Sequence, residues 1–451
     1  MQQNYERKML LNKLRKVGLN MAFFLNSIPV PLKKNTADKP SIRMSGVTSV
    51  MIPTLMHKGT PATPVVKMGD LVKVGTKIAE ANGELSSPVY ASVSGKVTKV
   101  CDYLTASGVS VPAIVITSDG EMAIADDLSV PVINGKNDLL CAIKNSGVVG
   151  LGGEGSLTHA KLDVDYESVE TLIVNGTECE PYITSDAHVM NERVGDIEYA
   201  LNAFKKYFGI KNIVICVGDN KKTSAENMKN VASSIEGAKV VAIDSTYPLG
   251  SEEAIIYITT KKVVPQGKCP SDIGCVVCNV TTVAEIGAYL QTGKPLVERY
   301  VTVDGGCVKE PQCVIAPIGV SLEELFAFCG EFESEPERVV YGGPMMGITV
   351  PNLSAPVLKT TNAVLALSEK ETKFPKETAC IRCGKCTNNC PLGIAPAAIE
   401  KAYAKKDVEE LVALSVNACM ECGSCAYLCP AHRPLVQTNK LAKMLVKEAD
   451  N

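Results

Sequence analysis

The 451-residue chain has no tryptophan, and aromatic residues make up only 5% of it. That scarcity by itself favours no function. Charge bias is also missing. Lys and Arg number 46 against 49 Asp and Glu, a formal net charge of -3, so the basic footprint of a nucleic-acid-binding protein is absent. No run of 18 apolar residues occurs, which excludes a predicted membrane-spanning helix. The apolar stretch at 21–25 is too short for a secretory signal core, and no small-residue cleavage site follows it. Histidines number only four, and none falls into a pattern with other metal ligands. Apart from one doubled motif, there is no internal repeat and no low-complexity segment.

Cysteine is what the chain has in abundance, with 18 residues. Eight of them form two runs. The first is Cys380-x-x-Cys383-x-x-Cys386-x-x-x-Cys390-Pro391, and the second is Cys419-x-x-Cys422-x-x-Cys425-x-x-x-Cys429-Pro430. This is the bacterial ferredoxin spacing written twice. Three close thiolates wrap one face of a cubane, and the fourth Cys, followed by Pro, ligates the other cluster. The expected ligand sets are therefore Cys380, Cys383, Cys386 and Cys429 for one [4Fe-4S] cluster, and Cys419, Cys422, Cys425 and Cys390 for the second. Zinc is the other use of a CxxC pair, but two complete runs with both prolines favour clusters. Gly384, Gly423 and Ser424 sit between ligands, where backbone must pass close to inorganic sulfide.

At about 100–200 residues per domain, the length allows three or more domains. Residues 1–20 carry Leu10, Leu11, Leu14 and Val17 at helical spacing among basic residues. This stretch reads as a solvated tail, or an extension ahead of a start at Met21, in preference to a membrane-surface helix. From 49 to 118, short β-rich runs alternate with Gly69-Asp70, Gly75, Asn82-Gly83, Ser87-Pro88 and Ser94-Gly95. Between about 121 and 297, predicted helices (138–145, 194–208) and strands (170–175, 212–217, 239–243) imply a mostly parallel sheet. From 298 to 360, short β runs return with one helix at 322–329. The tail, 371–451, is small and helical around the cysteines.

Gly150, Gly152, Gly153 and Gly155 make a loop whose backbone amides can close around an anion. By itself such a loop is also an ordinary turn, and it lacks the strand before and helix after of a dinucleotide fold. Asn175-Gly176-Thr177-Glu178-Cys179-Glu180-Pro181 follows a buried strand. Ligands bind there in open α/β sheets, and its carboxylates suit ribityl or ribose hydroxyls better than phosphate. A solvated acidic turn is the plainer alternative.

Several of these stretches resemble known parts. The 69–97 phrase is similar to the biotinyl/lipoyl barrel-sandwich modules, but its hairpin, 80–86, has no carrier lysine, so it reads as a structural or docking module. The glycine loop, Thr158, Lys161, the 175–181 segment and Asp186 resemble the FMN- and NADH-binding core of the complex I NADH-binding subunit. They resemble the RnfC family, the peripheral subunit of the Rnf ion-translocating ferredoxin:NAD oxidoreductase, more fully. Tyr247-Pro248-x-Gly250-x-Glu252 and Asn279-Val280 are also similar to RnfC stretches, and the likeness covers roughly 45–440.

The resemblance implies a multidomain α/β protein. Its expected parts are an N-terminal extension (1–48), a barrel-sandwich hybrid (49–120), an FMN/NADH-binding-type α/β domain (121–297), an SLBB-like β-grasp domain (298–370) and a two-[4Fe-4S] ferredoxin-like domain (371–451). It also implies that the glycines and Lys161 hold the FMN phosphate side, and that Asn175, Glu178, Glu180 and Asn279 line flavin or dinucleotide. The cofactors expected are two [4Fe-4S] clusters, FMN and NADH. The partners expected are the Rnf membrane subunits or a soluble reductase, in the cytoplasm or peripheral on the inner face of the cell membrane.

The chain departs from the family pattern in three places. Glu154 puts a negative charge where phosphate or flavin would lie. Ser156 replaces a stacking aromatic. An N-terminal Gly-Gly-Ile-His-Pro signature is missing. These departures keep a second reading open, an RnfC-like soluble electron carrier to a reductase such as D-proline reductase. A corrinoid reductase shares the parts but places the barrel-sandwich after the clusters. The remaining cysteines include Cys269, Cys275, Cys278, Cys307 and Cys313. They read as buried small hydrophobes or, alternatively, as a redox-active pair.

Overall fold

The computed structural model describes residues 26–106 and 108–449. The helix expected at 1–20 lies outside them. The chain divides into two compact units, Leu32–Ile243 with Gly274–Thr372, and Met1–Pro31 with Asp244–Ile273 and Lys373–Asn451.

The larger unit contains three sheet systems. The first is a barrel-sandwich. One of its sheets orders the strands Ser49–Pro53, Ser110–Ser118, Gly95–Leu104 and Leu71–Val72, and the other orders Thr63–Pro64, Lys77–Glu80 and Val89–Tyr90. Gly95 has φ +148, and a Cβ there would lie 2.1 Å from the Thr117 carbonyl oxygen. Only glycine allows the two long strands to approach this closely.

The second system is a parallel sheet in the order Ala238–Ile243, Asn212–Gly218, Thr171–Gly176, Cys275–Asn279. Leu172, Ile173 and Val174 are fully buried. Each contributes about 1.5–3 kcal/mol through burial, and together they form the apolar centre of the strand expected at 170–175. Helix Val194–Phe208 buries Ile197, Ala200, Leu201, Phe204 and Phe208, one face at helical spacing. It packs so tightly on helix Val280–Thr292 that a Cβ at Gly287 would sit 1.9 Å from the Asp196 carbonyl oxygen.

The third system is a six-stranded sheet in the order Ile42–Arg43, Gln312–Pro317, Glu298–Asp304, Ala363–Leu367, Arg338–Tyr341, Ile348–Thr349, with helix Leu322–Phe328. Here the fold departs from the contiguous division expected from sequence. Ile42 and Arg43 pair in parallel with Val314 and Ile315, so part of the supposed N-terminal extension is an edge strand of the β-grasp sheet. A two-residue strand has no periodicity to read, and its partner lies some 270 residues away in the chain.

In the smaller unit, the cysteine runs fold as two copies of one motif. An offset of 39 residues carries Cys380 onto Cys419, helix Lys385–Asn388 onto Ser424–Tyr427, and the start of helix Pro396–Ala404 onto that of Leu435–Ala449. Arg382 and Glu421 share positive φ (55 and 59), as do Gly384 and Gly423 (74 and 78). A core of Leu392, Ile394, Ile399, Leu411, Val416, Ala442 and Val446 holds the copies together. The Asp244–Ile273 excursion, expected within the α/β domain, joins this unit. Tyr247 bridges Ile28 and donates its hydroxyl to the Cys422 carbonyl at 2.7 Å.

Candidate functional site

The parallel sheet reverses its strand order between Thr171–Gly176 and Cys275–Asn279, and the crevice at such a switch point is where open α/β sheets bind ligands. Asn175 and Asn279 end those two strands and are register partners. The glycine loop closes over them. Gly150 N–H donates to the Ser156 carbonyl (2.8 Å) and Gly155 N–H to the Gly150 carbonyl (3.0 Å). The Leu151 N–H donates to Thr282 Oγ1 at 2.9 Å. A Cβ at Gly152 would stand 3.0 Å from Asn279 Nδ2, and at Gly150 2.8 Å from Ser156 Oγ. Gly152, Gly153 and Glu154 are exposed at the tip. The structure thus brings the loop, Asn175 and Asn279 to one place.

The side chains there are largely committed within the chain. Asn279 caps helix Val280–Thr292, its Oδ1 accepting from the Thr281 and Thr282 amides, a cap that contributes about 1 kcal/mol. Its Nδ2 donates to Asp186 Oδ2 at 2.8 Å, and Thr281 Oγ1 donates to the other Asp186 oxygen at 2.6 Å. Asn175 Oδ1 accepts from the amide and hydroxyl of Thr177. Glu180 accepts from the Met345 and Met346 amides at 3.2 and 2.8 Å. Its carboxylate therefore anchors the 342–347 loop of the β-grasp sheet.

Glu178 differs. Its side chain is only 3% exposed. Oε1 accepts from the Asp186 amide at 2.7 Å, while Oε2 has no hydrogen-bond partner and only a long ion pair, to Lys221 Nζ at 3.9 Å. Burial pushes this carboxyl up to about 7, against the lowering fields of Lys34 and Lys221. Thr158 Oγ1, on the first residue of the helix after the loop, is likewise buried and unpartnered. Buried polar groups are normally satisfied, so Thr158 Oγ1 and the loosely paired Glu178 Oε2 fit a polar ligand that supplies further bonds. The Lys161 ammonium stands 3.8 Å from Glu154 Oε2, and Glu154 also pairs with Lys58 at 3.3 Å. The loop's acidic residue thus partly neutralises the lysine expected to face phosphate.

Four cations that sequence reasoning missed tie the surrounding loops back by their carbonyls. Lys34 Nζ donates to the carbonyls of Glu178, Glu180 and Ile183. Lys221 donates to Thr177 O at 2.7 Å. Arg299 donates to Leu151 O at 2.8 Å. Lys359 donates to Pro88 O and Gly147 O, each at 2.7 Å, and to Ser87 Oγ at 3.1 Å. Lys359 also stitches the barrel-sandwich to the segment just ahead of the glycine loop. The hairpin that lacks a carrier lysine docks nearby, with Glu84 pairing Lys144 and its carbonyl facing His159 Nε2 at 3.3 Å. Only Lys221 left a sequence signal, since it follows the second strand's C-terminal end. The others come from distant segments.

In the smaller unit, Cys390, Cys419, Cys422 and Cys425 line one cavity with Leu392, Ile394, Met420, Val436 and Asn439. Burial, and then the neighbouring Cys422, Cys419 and Cys390, push the Cys425 thiol up, so the four sulfurs lie close enough to feel one another. The Glu421 amide and Asn439 Nδ2 both donate to Cys419 Sγ at 3.4 Å. Asn26 Nδ2 donates to the Cys390 carbonyl at 3.0 Å. Among the described residues, no three His, Cys, Asp or Glu side chains converge on a single metal ion. Thiols spread around a cavity suit a cubane core. Cys380 and Cys383 are exposed, and Cys386 and Cys429 half-buried. Of the other cysteines, Cys275 and Cys278 are buried three apart on one strand, where alternate residues face opposite sides. Cys307 and Cys313 are buried, and burial pushes the Cys313 thiol well up, which suits inert packing. Cys269 is exposed.

Comparison with known proteins matches the parts of the chain in their order. Family models match in order: the RnfC barrel sandwich hybrid domain at 24–121, the Nuo51 FMN-binding domain at 143–288, the SLBB domain at 300–349 and the 4Fe-4S dicluster domain at 373–430. The chain is 38% identical to the C subunit of the Na(+)-translocating ferredoxin:NAD(+) oxidoreductase complex of Acetobacterium woodii, covering 83% of this chain and 86% of that one. It is 36% identical to the proton-translocating counterpart of Clostridium ljungdahlii (82% and 81% covered) and to the C subunit of the ion-translocating oxidoreductase complex of Rhodobacter capsulatus (88% and 78%). Among solved structures, an NAD+-reducing [NiFe]-hydrogenase chain aligns with a TM-score of 0.48 at 16% identity, covering 69% of this chain and 62% of that one.

Proposed function

The chain belongs to the RnfC family, and from that membership we propose that it passes electrons between a nicotinamide nucleotide and a redox-protein partner. It is an electron-transfer iron–sulfur flavoprotein of the Rnf type, with FMN and [4Fe-4S] clusters as cofactors. The observation that carries the reading is the pairing, in one chain, of Glu178 beyond the switch-point strand and Thr158 after the glycine loop, each with a side-chain oxygen that lacks a hydrogen bond, with the four-thiol cavity of the second cysteine run.

In this reading the amides of Gly152 and Gly153 and the Lys161 ammonium hold the phosphate end of FMN, and Gly155 closes the loop through its bond to the Gly150 carbonyl. Thr158 Oγ1 and Glu178 Oε2 bond its ribityl or ring polar atoms. A carboxyl raised by burial is more readily protonated than an exposed one and so can donate as well as accept there. Asn175, Asn279 and Glu180 shape the crevice through their own backbone and helix-cap bonds. FMN, when bound, converts a hydride's electron pair into single electrons, and clusters relay them singly. Cys380, Cys383, Cys386 and Cys429 hold one cluster, and Cys419, Cys422, Cys425 and Cys390 the other.

The partner, by analogy with the relatives' names, is the rest of an ion-translocating complex, and attachment in this reading is peripheral, on the cytoplasmic face. No helix among the described residues is long and apolar enough to cross a membrane. A second reading, a soluble carrier to a reductase with a weakened nucleotide site, is favoured by one observation, the Glu154–Lys161 pair. Anaerobic purification, flavin extraction and an NADH titration followed by cluster EPR separate the two. One FMN per chain with NADH-reducible clusters supports the first. Clusters without flavin or NADH response leave the second.

A further inference from the structure

The two cysteine runs are copies in backbone but not in surroundings. In the second run Cys422 and Cys425 are buried, as is Cys390, which the ferredoxin spacing assigns to the same cluster. In the first run Cys380 and Cys383 are exposed. Solvent exposure and hydrogen bonds to sulfur are among the factors that set a cluster's potential. Reduction adds a negative charge to a group already carrying thiolates. Burial resists that charge and lowers the potential. An N–H aimed at a ligand sulfur accommodates the charge and raises the potential.

The enclosed run has such donors. Asn439, on helix Leu435–Ala449, donates through Nδ2 to Cys419 Sγ at 3.4 Å, and the Glu421 amide donates to the same sulfur at 3.4 Å. Cys422 Sγ lies 3.4 Å from Ser424 Oγ, a hydroxyl that can turn its proton toward a thiolate. At the open run, Cys386 Sγ and Thr387 Oγ1 stand 3.9 Å apart, a weaker contact. Asn439 is fully buried, and its Oδ1 has no hydrogen-bond partner. Leaving a buried amide oxygen unpaired is destabilising, so an apolar side chain would serve packing better. A thiolate bound to iron has no proton to give, and only the nitrogen end of the amide suits it. The offset of 39 residues carries Asn439 onto Glu400. An ionised carboxylate only accepts hydrogen bonds and cannot take the same role. Glu400 is held instead by Arg433, whose Nε stands 2.8 Å from both of its oxygens. The repeated backbone thus carries an amide at this position in one copy only.

We propose that Asn439 sets the potential of the cluster held by Cys419, Cys422, Cys425 and Cys390, raising it against the lowering effect of burial. Asn439 acts through the Cys419 sulfur and is a positioning residue of the relay, not a ligand. The proposal rests on the relay reading above. The step it governs is the gain of one electron by the enclosed cluster, from the flavin in the relay or from dithionite in the test. No bond forms or breaks.

The test is an EPR-monitored redox titration of the full chain with its clusters, reduced with dithionite. Asn439→Leu lowers one of the two midpoints and leaves the other in place. The shift is about tenfold in the reduced-to-oxidised ratio at fixed potential, about 59 mV for a one-electron couple. The midpoint that moves is the one retained by Cys383→Ala. Asn439→Asp, of nearly the same shape, lowers the same midpoint at least as far, because a carboxylate adds charge where the amide donated. Glu400→Gln, at the equivalent position of the other copy, leaves that midpoint where it was. A role in packing alone would alter stability and leave both midpoints in place. Unmoved midpoints in the two Asn439 variants, a rise in either, or an equal shift of both clusters would overturn the proposal while leaving the relay reading intact. Loss of the cluster in both variants would assign Asn439 to cluster retention and overturn it equally. Absence of [4Fe-4S] signals from the dithionite-reduced unmodified chain would remove both the proposal and the relay.

Discussion

Arg299, at the start of a β-grasp strand, donates through Nη2 to the carbonyl oxygen of Leu151 in the glycine loop at 2.8 Å. The guanidinium is 1% exposed, its Nη1 has no partner, and no carboxylate lies within ion-pair reach among the described residues. Burial lowers it to about 10, with Glu285 and Asp186 raising it from a distance. A charge left this bare in the interior is costly. What it secures is position: the Leu151 carbonyl is held inward, and the buried positive charge beside the loop favours an anion.

Arg299→Met should therefore weaken FMN binding by about 10–100-fold, the equivalent of about 1.5–3 kcal/mol for a lost charged hydrogen bond. Arg299→Lys should fall between, since one ammonium cannot match the fork of a guanidinium. Flavin fluorescence titration of the reconstituted chain measures both. Unchanged affinity in the Met variant would show that the loop holds its shape without the tether.

The ligand sets can be sorted by which variants share a residual spectrum. Cys390 lines the second run's cavity, so Cys390→Ala and Cys422→Ala should leave the same single cluster in EPR of dithionite-reduced protein. Cys383→Ala should leave the other. If Cys390→Ala instead matches Cys383→Ala, the crossed assignment is wrong.

Glu154 pairs with Lys161 and Lys58 in an exposed setting. Exposed pairs are worth about 0–1 kcal/mol, so Glu154→Ala should tighten FMN binding only about 2–5-fold, by releasing Lys161. Equilibrium dialysis against FMN reads the change. Loss of binding on removing Glu154 would mean that the carboxylate itself contacts the flavin.

Glu371 provides a pH signature. Burial raises its carboxyl, but bonds from Tyr182, Lys33 and Ser368 outweigh that and bring it to about 2, below the ordinary 4.5. A depressed folded-state value stabilises the fold fully above about 4.5, and that stability is lost as pH falls from there toward 2. Thermal unfolding should show an acid limb in this window that Glu371→Gln flattens. An identical limb in the variant would assign it to other carboxylates.

Much of this was legible in sequence because its causes are local. Helix Val194–Phe208 and the strand beginning at Thr171 declare themselves through apolar spacing within a dozen residues, and the cysteine runs through ligand geometry that tolerates little variation. The acids of 178–180 were legible as residues beyond a buried strand, but not their partners. Glu180's amide partners lie about 165 residues away, and nothing near Pro181 signals them.

The chemistry of the two cysteine runs, the glycine loop and the order of parts were therefore determined by sequence alone, since each depends on residues close together in the chain. Tertiary structure alone decided which cations hold the loops, why one oxygen of Glu178 lacks a hydrogen bond while both of Glu180 accept one, that Ile42 and Arg43 complete a distant sheet, and that one copy of the cysteine motif is covered and the other open. Burial and long-range pairing set those outcomes, and both arise only when distant segments meet.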